Sequence, residues 1–219
     1  LQAQEVTCGY AGDLDGDNMV TISDVLIVLG AFGVDYNEEV CADVDYFDYT
    51  YDVIEIGDQC WFQENLRTVK YANGDDIETS TGSWQSASDG RWAYFNNNPS
   101  EIVERGLLYN YYAYIDSRGI CPVGWHVPTD MEWMDLESHI GMPASELFEI
   151  GNQRGDQADL LKASSAESPG WNGSNDYGFT AVPTGIKMAT GSFGNGSDKA
   201  FYWVVGEVQT RSLSFYNNY

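Results

Sequence analysis

The stretch "GDLDGDNMVTISD", Gly12–Asp24, holds five oxygen-bearing side chains at loop spacing and is followed directly by the apolar run "VLIVLGAF". Carboxylates spaced this way converge on a hard divalent cation, because one short loop brings together charges that would otherwise repel each other. Counted from Asp13, positions 1, 3, 5, 7, 9 and 12 of a twelve-residue calcium loop are Asp13, Asp15, Asp17, Met19, Thr21 and Asp24, with Met19 acting through its backbone carbonyl. Val20 stands where an apolar side chain anchors such a loop to a core. Position 6 is Asn18, which tolerates the left-handed backbone better than most residues, in place of the usual glycine. Position 12 is Asp24, in place of the longer glutamate. Ser23 and Asp24 can cap a helix running to about Leu29, with Gly30 and Gly33 loosening its end. The bland alternative is a solvated acidic turn. Calcium is the cofactor expected here, and Cys8 and Cys41 flank the unit so that a bridge between them would close a module with little core of its own.

Other chemistry is poorly supplied. The four cysteines, Cys8, Cys41, Cys60 and Cys121, include no C-x-x-C pair, and His126 and His139 stand far from three of them, which argues against zinc. The chain has no G-x-S-x-G elbow, no H-E-x-x-H and no P-loop. No two of its many carboxylates are singled out as a glycosidase pair. The expectation is a protein that is not an enzyme. The polar loop "GSWQSASDGRWAYFNNN", Gly82–Asn98, is the candidate binding surface, through Trp84, Trp92 and Tyr94, with Phe95 beside them. Loop aromatics also serve to pin a loop to the body. Trp125, His126 and Trp133 form a second aromatic group, for which core packing is the more ordinary role.

Lys plus Arg total 10 against 34 Asp plus Glu, a formal charge of −24 over 219 residues. Such a surface repels nucleic acid and anionic lipid and attracts cations. With 43% hydrophobic and 14% aromatic residues the chain can build a core. No apolar run reaches the roughly 20 residues needed to span a bilayer, so membrane insertion is not expected. An even cysteine count and few lysines suit an oxidising exterior. "LQAQEVTCG" reads as a mature N-terminus left after removal of a signal peptide.

The elements follow from local pattern. "YTYDVIEIG" alternates as a strand and turns at Gly57–Asp58 into "QCWFQEN". "GLLYNYYAY" reads as a buried strand or short helix. Thr129 as N-cap with Glu132 three residues on predicts a capping box. Trp133, Leu136 and Ile140 then share one helical face, and Gly141 stops the helix. A second helical piece is expected near Ser145–Ile150, and short aromatic strands after Asp156. The fold class is α+β, divided into a calcium unit, 1–43, and a larger domain, 44–219.

The motifs "IGDQCWFQENLRTVKYANGD", "GLLYNYYAY", "ICPVGWHVPTDMEW" and "YGFTAVPTG" resemble the Fibrobacter succinogenes major paralogous domain family from about Val44 to Tyr219. The acidic loop with its trailing helix resembles a single dockerin-type calcium repeat over about 25 residues. The first resemblance implies a C-type-lectin-like fold, with short twisted antiparallel strands, long loops and one or two helices. It also implies an extracellular or cell-surface location. "WNGSNDYG" echoes a lectin calcium-and-sugar cluster but lacks the partner tripeptides, so a polar turn is expected there. Formylglycine-generating enzymes of the same fold class use a late cysteine pair, and none follows Cys121. Family members continue past "RSLSFYNN" to a final strand with a cysteine; without it, the resemblance leaves Cys60 as the partner of Cys121. Alternatively, the absent strand leaves an open sheet edge for another chain. The expected partners are therefore an extracellular polysaccharide or a surface protein, in adhesion, or other copies of this chain in a filament or surface layer.

Overall fold

Alternating apolar residues in "VDYFDYTYDVIEIGDQCWF" fold as two consecutive hairpins. In the computed structural model, which describes residues 41–149, 155–167, 170–205 and 210–214, strand β1 (Val44–Tyr46) pairs with β2 (Tyr49–Tyr51), and β3 (Val53–Ile56) with β4 (Gln59–Phe62). The calcium loop, with Asp13, Asp15, Asp17, Met19, Thr21 and Asp24, lies outside the described residues. Gly57, the first residue of the β3–β4 turn, has φ +65, a conformation that a side chain would resist. The register sets Val53 opposite Phe62, Ile54 opposite Trp61 and Glu55 opposite Cys60.

Because side chains alternate across a strand, this hairpin has two apolar faces. Ile54, Ile56 and Trp61 pack into one cluster with Trp133, Leu136, Ile140, Leu161, Phe179 and Tyr202. Val53, Cys60 and Phe62 pack into another with Tyr51, Leu66, Tyr71, Leu107 and Tyr109. The β3–β4 hairpin is thus the wall between two cores.

The remaining strands are equally short. β5 (Glu78–Thr79) runs parallel to β6 (Arg91–Ala93), which pairs antiparallel with β7 (Leu108–Tyr109). β8 (Ile186–Lys187) pairs with β9 (Phe193–Gly194), and β10 (Lys199–Trp203) with β11 (Thr210–Ser214). Among the described residues the α-helices are Ile102–Arg105, Tyr111–Tyr114 and Asp130–His139. Small mixed sheets with few helices agree with the α+β class read from the sequence. "GLLYNYYAY" turns out to be both readings in succession, a strand and then one helical turn capped by Asn110.

The expected capping box is present. Glu132 N–H donates to Thr129 Oγ1 at 3.2 Å, and Thr129 N–H donates to Glu132 Oε2 at 2.6 Å. The helix expected near Ser145–Ile150 is replaced by turns over residues 144–148. Its backbone bonds run from Glu146 N to Pro143 O and from Glu149 N to Glu146 O, spans of three residues that do not propagate a helix. The Glu146 carboxylate is committed elsewhere, to Gly155 N–H at 2.7 Å.

The structure corrects both expected cysteine pairings. Cys41 bonds Cys60, with Cα atoms 5.3 Å apart, so neither Cys8–Cys41 nor Cys60–Cys121 forms. The two hairpins explain this. Asp43 Oδ1 accepts from Val53 N–H at 3.0 Å, which lays the segment before β1 against the β3–β4 hairpin and brings Cys41 to Cys60. Cys121 remains a free thiol packed against the same cluster, and burial pushes its pKa up to about 12, which keeps it protonated at neutral pH.

Candidate functional site

A cleft of about 380 Å³ opens where several distant stretches of chain meet. Trp84 comes from the loop after β5. Leu107–Tyr112 supplies β7 and the start of the following helix. Thr184–Lys187 leads into and forms β8, and Phe201–Trp203 belongs to β10. Its lining is mainly apolar and aromatic with a few polar groups, and its size is that of a small-ligand pocket.

Local chemistry sets each wall. Ser83 Oγ–H donates to Ala189 O at 2.8 Å and Trp84 N–H donates to the same carbonyl at 2.7 Å, which fixes the tryptophan over the turn after β8. The Trp84 indole Nε1–H is buried without a hydrogen-bond partner. Asn110 ties the opposite wall: its Oδ1 accepts from Arg91 N–H at 2.8 Å and Ala113 N–H at 3.0 Å, and its Nδ2 donates to Asp89 O at 2.9 Å. Tyr111 and Tyr112 then stand half-exposed at the rim. Trp203 stacks on Tyr114 at 4.6 Å, and its Nε1–H donates to Tyr109 O at 2.9 Å. Gly185, at φ +66, lets the chain enter β8 directly beneath Phe95, which a Cβ there would meet at 2.5 Å.

Two cations line the cleft, in different states. Arg105 is fully engaged, with Glu101 Oε2 at 2.6 Å, Gly196 O at 2.5 Å and the carbonyl of Pro183. Lys187 is only 6% exposed, and no carboxylate lies within ion-pair distance among the described residues. Its Nζ reaches Thr81 O at 3.4 Å and sits 5.2 Å from the Trp84 ring centroid and 4.5 Å from that of Phe193. Burial pulls the Lys187 ammonium below its usual range.

Of the three aromatic residues expected to bind, the cleft contains Trp84. Trp92 and Tyr94 are partly buried against the second core, Trp92 donating its Nε1–H to Ile77 O at 2.8 Å and meeting Tyr94 edge-on at 5.1 Å. Phe95 is buried. The group at the long helix is core: Trp133 is buried, and Trp125 lies on Phe62 at 4.3 Å. His126 Nε2 meets Glu132 Oε1 at 2.6 Å. Burial opposes the charge on Glu132, yet the hydrogen bonds from His126 and Thr129 outweigh it and hold the carboxyl below its usual range. "WNGSNDYG" forms a polar turn in which Asn175 Oδ1 accepts from Thr180 N–H at 2.8 Å and Trp171 is buried. Among the described residues no group of three or more His, Cys, Asp or Glu is placed to hold a metal ion. None of the helices among the described residues is long and apolar enough to cross a membrane.

Lys187, Tyr111, Tyr112 and Trp203 escaped the sequence reading. The one available signal was a lysine inside the apolar stretch "AVPTGIKM" of a chain with only 10 basic residues.

Fold and cleft together describe an α+β domain with a built, aromatic-lined recess. Residues 54–216, more than half of the 219, match the family described as the Fibrobacter succinogenes major domain, and the chain belongs to that family. No curated protein and no solved structure matches it.

Proposed function

We propose that the protein is an exported, non-catalytic, calcium-binding module of the cell surface whose aromatic cleft binds a polysaccharide or a protein in adhesion. The cleft carries this proposal: aromatic walls, few polar groups and a partnerless indole donor suit recognition of an external ligand. The spacing of Asp13, Asp15, Asp17, Met19, Thr21 and Asp24 supports a calcium loop in the same chain, as a dockerin-type repeat would provide. A C-type-lectin-like arrangement of the larger domain is part of the same proposal, since loops on a rigid body are where such domains bind.

Calcium should raise the melting temperature. A hundredfold excess over Kd contributes about 2.7 kcal/mol. Asp13→Ala or Asp24→Ala abolishes that increment, and an identical melting curve in EDTA counts against the loop. A glycan array and a surface-protein panel test the cleft: Trp84→Ala should remove at least tenfold of the affinity for any ligand found, and unchanged binding would place the site elsewhere.

A second arrangement is favoured by β11, which pairs on one side alone, with β10, among the described residues. An open edge accepts a strand from a neighbour, and the protein would then be a self-assembling subunit of an extracellular filament or layer. Polymers in negative stain that dissolve with chelator distinguish it from a monodisperse monomer.

A further inference from the structure

Lys187 poses an electrostatic problem. As a residue it is more than nine-tenths buried in a chain of formal charge −24, yet no carboxylate of the described residues lies within 4.0 Å of its ammonium. The faces of Trp84 and Phe193 and the carbonyl of Thr81 satisfy it in part. A buried charge held without a counter-ion is expensive, so an anionic ligand that supplied one would be favoured there. Beside it, the Trp84 Nε1–H is a second donor with no acceptor. Arg105 supplies no free charge, because Glu101 and two carbonyls occupy its guanidinium. The cleft lining therefore holds one positive charge without a counter-ion and one neutral donor without an acceptor, beside aromatic surfaces at Trp84, Tyr111 and Tyr112.

We infer that the cleft binds a uronic-acid-containing glycan, with the sugar carboxylate on Lys187 Nζ and a ring face against the aromatic wall. This rests on the binding-module reading above and names its ligand class. A pyranose presents a flat C–H face to an aromatic ring and oxygen acceptors at its edge, and a uronic acid adds a single negative charge. One lysine ammonium matches a monoanion. Bidentate guanidinium pairing, which sulfate and phosphate groups favour, is not on offer. The strongly acidic remainder of the chain repels densely charged polymers, so that a carboxylate is admitted only where Lys187 meets it.

Calorimetry on the full chain tests this with a xylo-oligosaccharide bearing a single glucuronic acid and with the same oligomer after carboxyl reduction to neutral glucose. The acidic oligomer should bind about tenfold or more tightly than the reduced one, a difference of about 1.4 kcal/mol. Lys187→Met, which keeps the buried stem, should erase that preference. Trp84→Phe, which keeps a ring but removes the donor, should weaken both oligomers alike, and it serves if Lys187→Met fails to give the native near-ultraviolet dichroism. Equal binding of the two oligomers overturns the carboxylate assignment while leaving the cleft a glycan site. A sulfated galactan bound as tightly as the uronate overturns it too. Binding of an acidic peptide with no glycan bound overturns the ligand class. Binding that neither variant changes overturns the site itself.

Discussion

Trp61→Ala lowers the stability of the domain by about 3–5 kcal/mol, the largest loss expected from any single replacement. Trp61 is fully buried, with its ring 5.1 Å from that of Trp133 and 5.8 Å from that of Phe179. Its neighbours come from the long helix and from the segment before β8, which are held in place by their own hydrogen bonds and cannot collapse into the space left. The indole Nε1–H donates to Gln59 Oε1 at 3.2 Å, so the replacement also frees that amide. The substitution acts on the strand that separates the two cores, and both lose support together. Urea unfolding monitored by fluorescence and by near-ultraviolet dichroism should show one transition with a lower midpoint. Trp61→Phe, which refills most of the volume, should lose much less. A loss below about 1 kcal/mol for the alanine variant would show that the site repacks, and the hairpin would not be the common wall described.

The double replacement of Cys41 and Cys60 by serine should cost about 3 kcal/mol. The bridge closes a loop between residues 19 apart, and the denatured chain regains that conformational freedom when the bridge is lost. The effect acts mainly through the unfolded state, so the native dichroism of the variant should match the parent while its urea midpoint falls. Alkylation of the denatured, unreduced parent, followed by peptide mapping, checks the pairing. Cys121 takes the label, and Cys41 and Cys60 do not. A labelled Cys41 or Cys60 would refute the bridge.

What the sequence disclosed was short-range chemistry. Thr129 and Glu132 are three residues apart and bond each other across the helix start, so their capping box was legible. So was the turn at Gly57–Asp58, because a glycine between two alternating apolar runs has few other uses. The disulfide was not legible: four cysteines allow three complete pairings, and spacing does not choose among them. The failed helix near Ser145 shows how a carboxylate can be captured by a distant amide, here Gly155, that no local pattern reveals. The cleft was hidden for the same reason. Trp84 was visible as a loop aromatic, but Lys187 lies about a hundred residues away in a strand of two residues, too short to show any period. Trp92 and Tyr94 looked equivalent to Trp84 in sequence; only the pairing of β6 with β5 and β7 turns them toward the interior.

The stitch from Ser83 and Trp84 to the carbonyl of Ala189 joins segments 106 positions apart in the chain. Gly191 presses on the backbone of Gly82 at the same seam, where a Cβ would stand 3.1 Å from the carbonyl carbon. Evolution or engineering that retargets the recess must therefore treat these two segments as a single cassette. Transplanting one without the other would leave a tryptophan with no seat and a carbonyl with no donor, whereas moving both preserves the seam and leaves the rims free to vary.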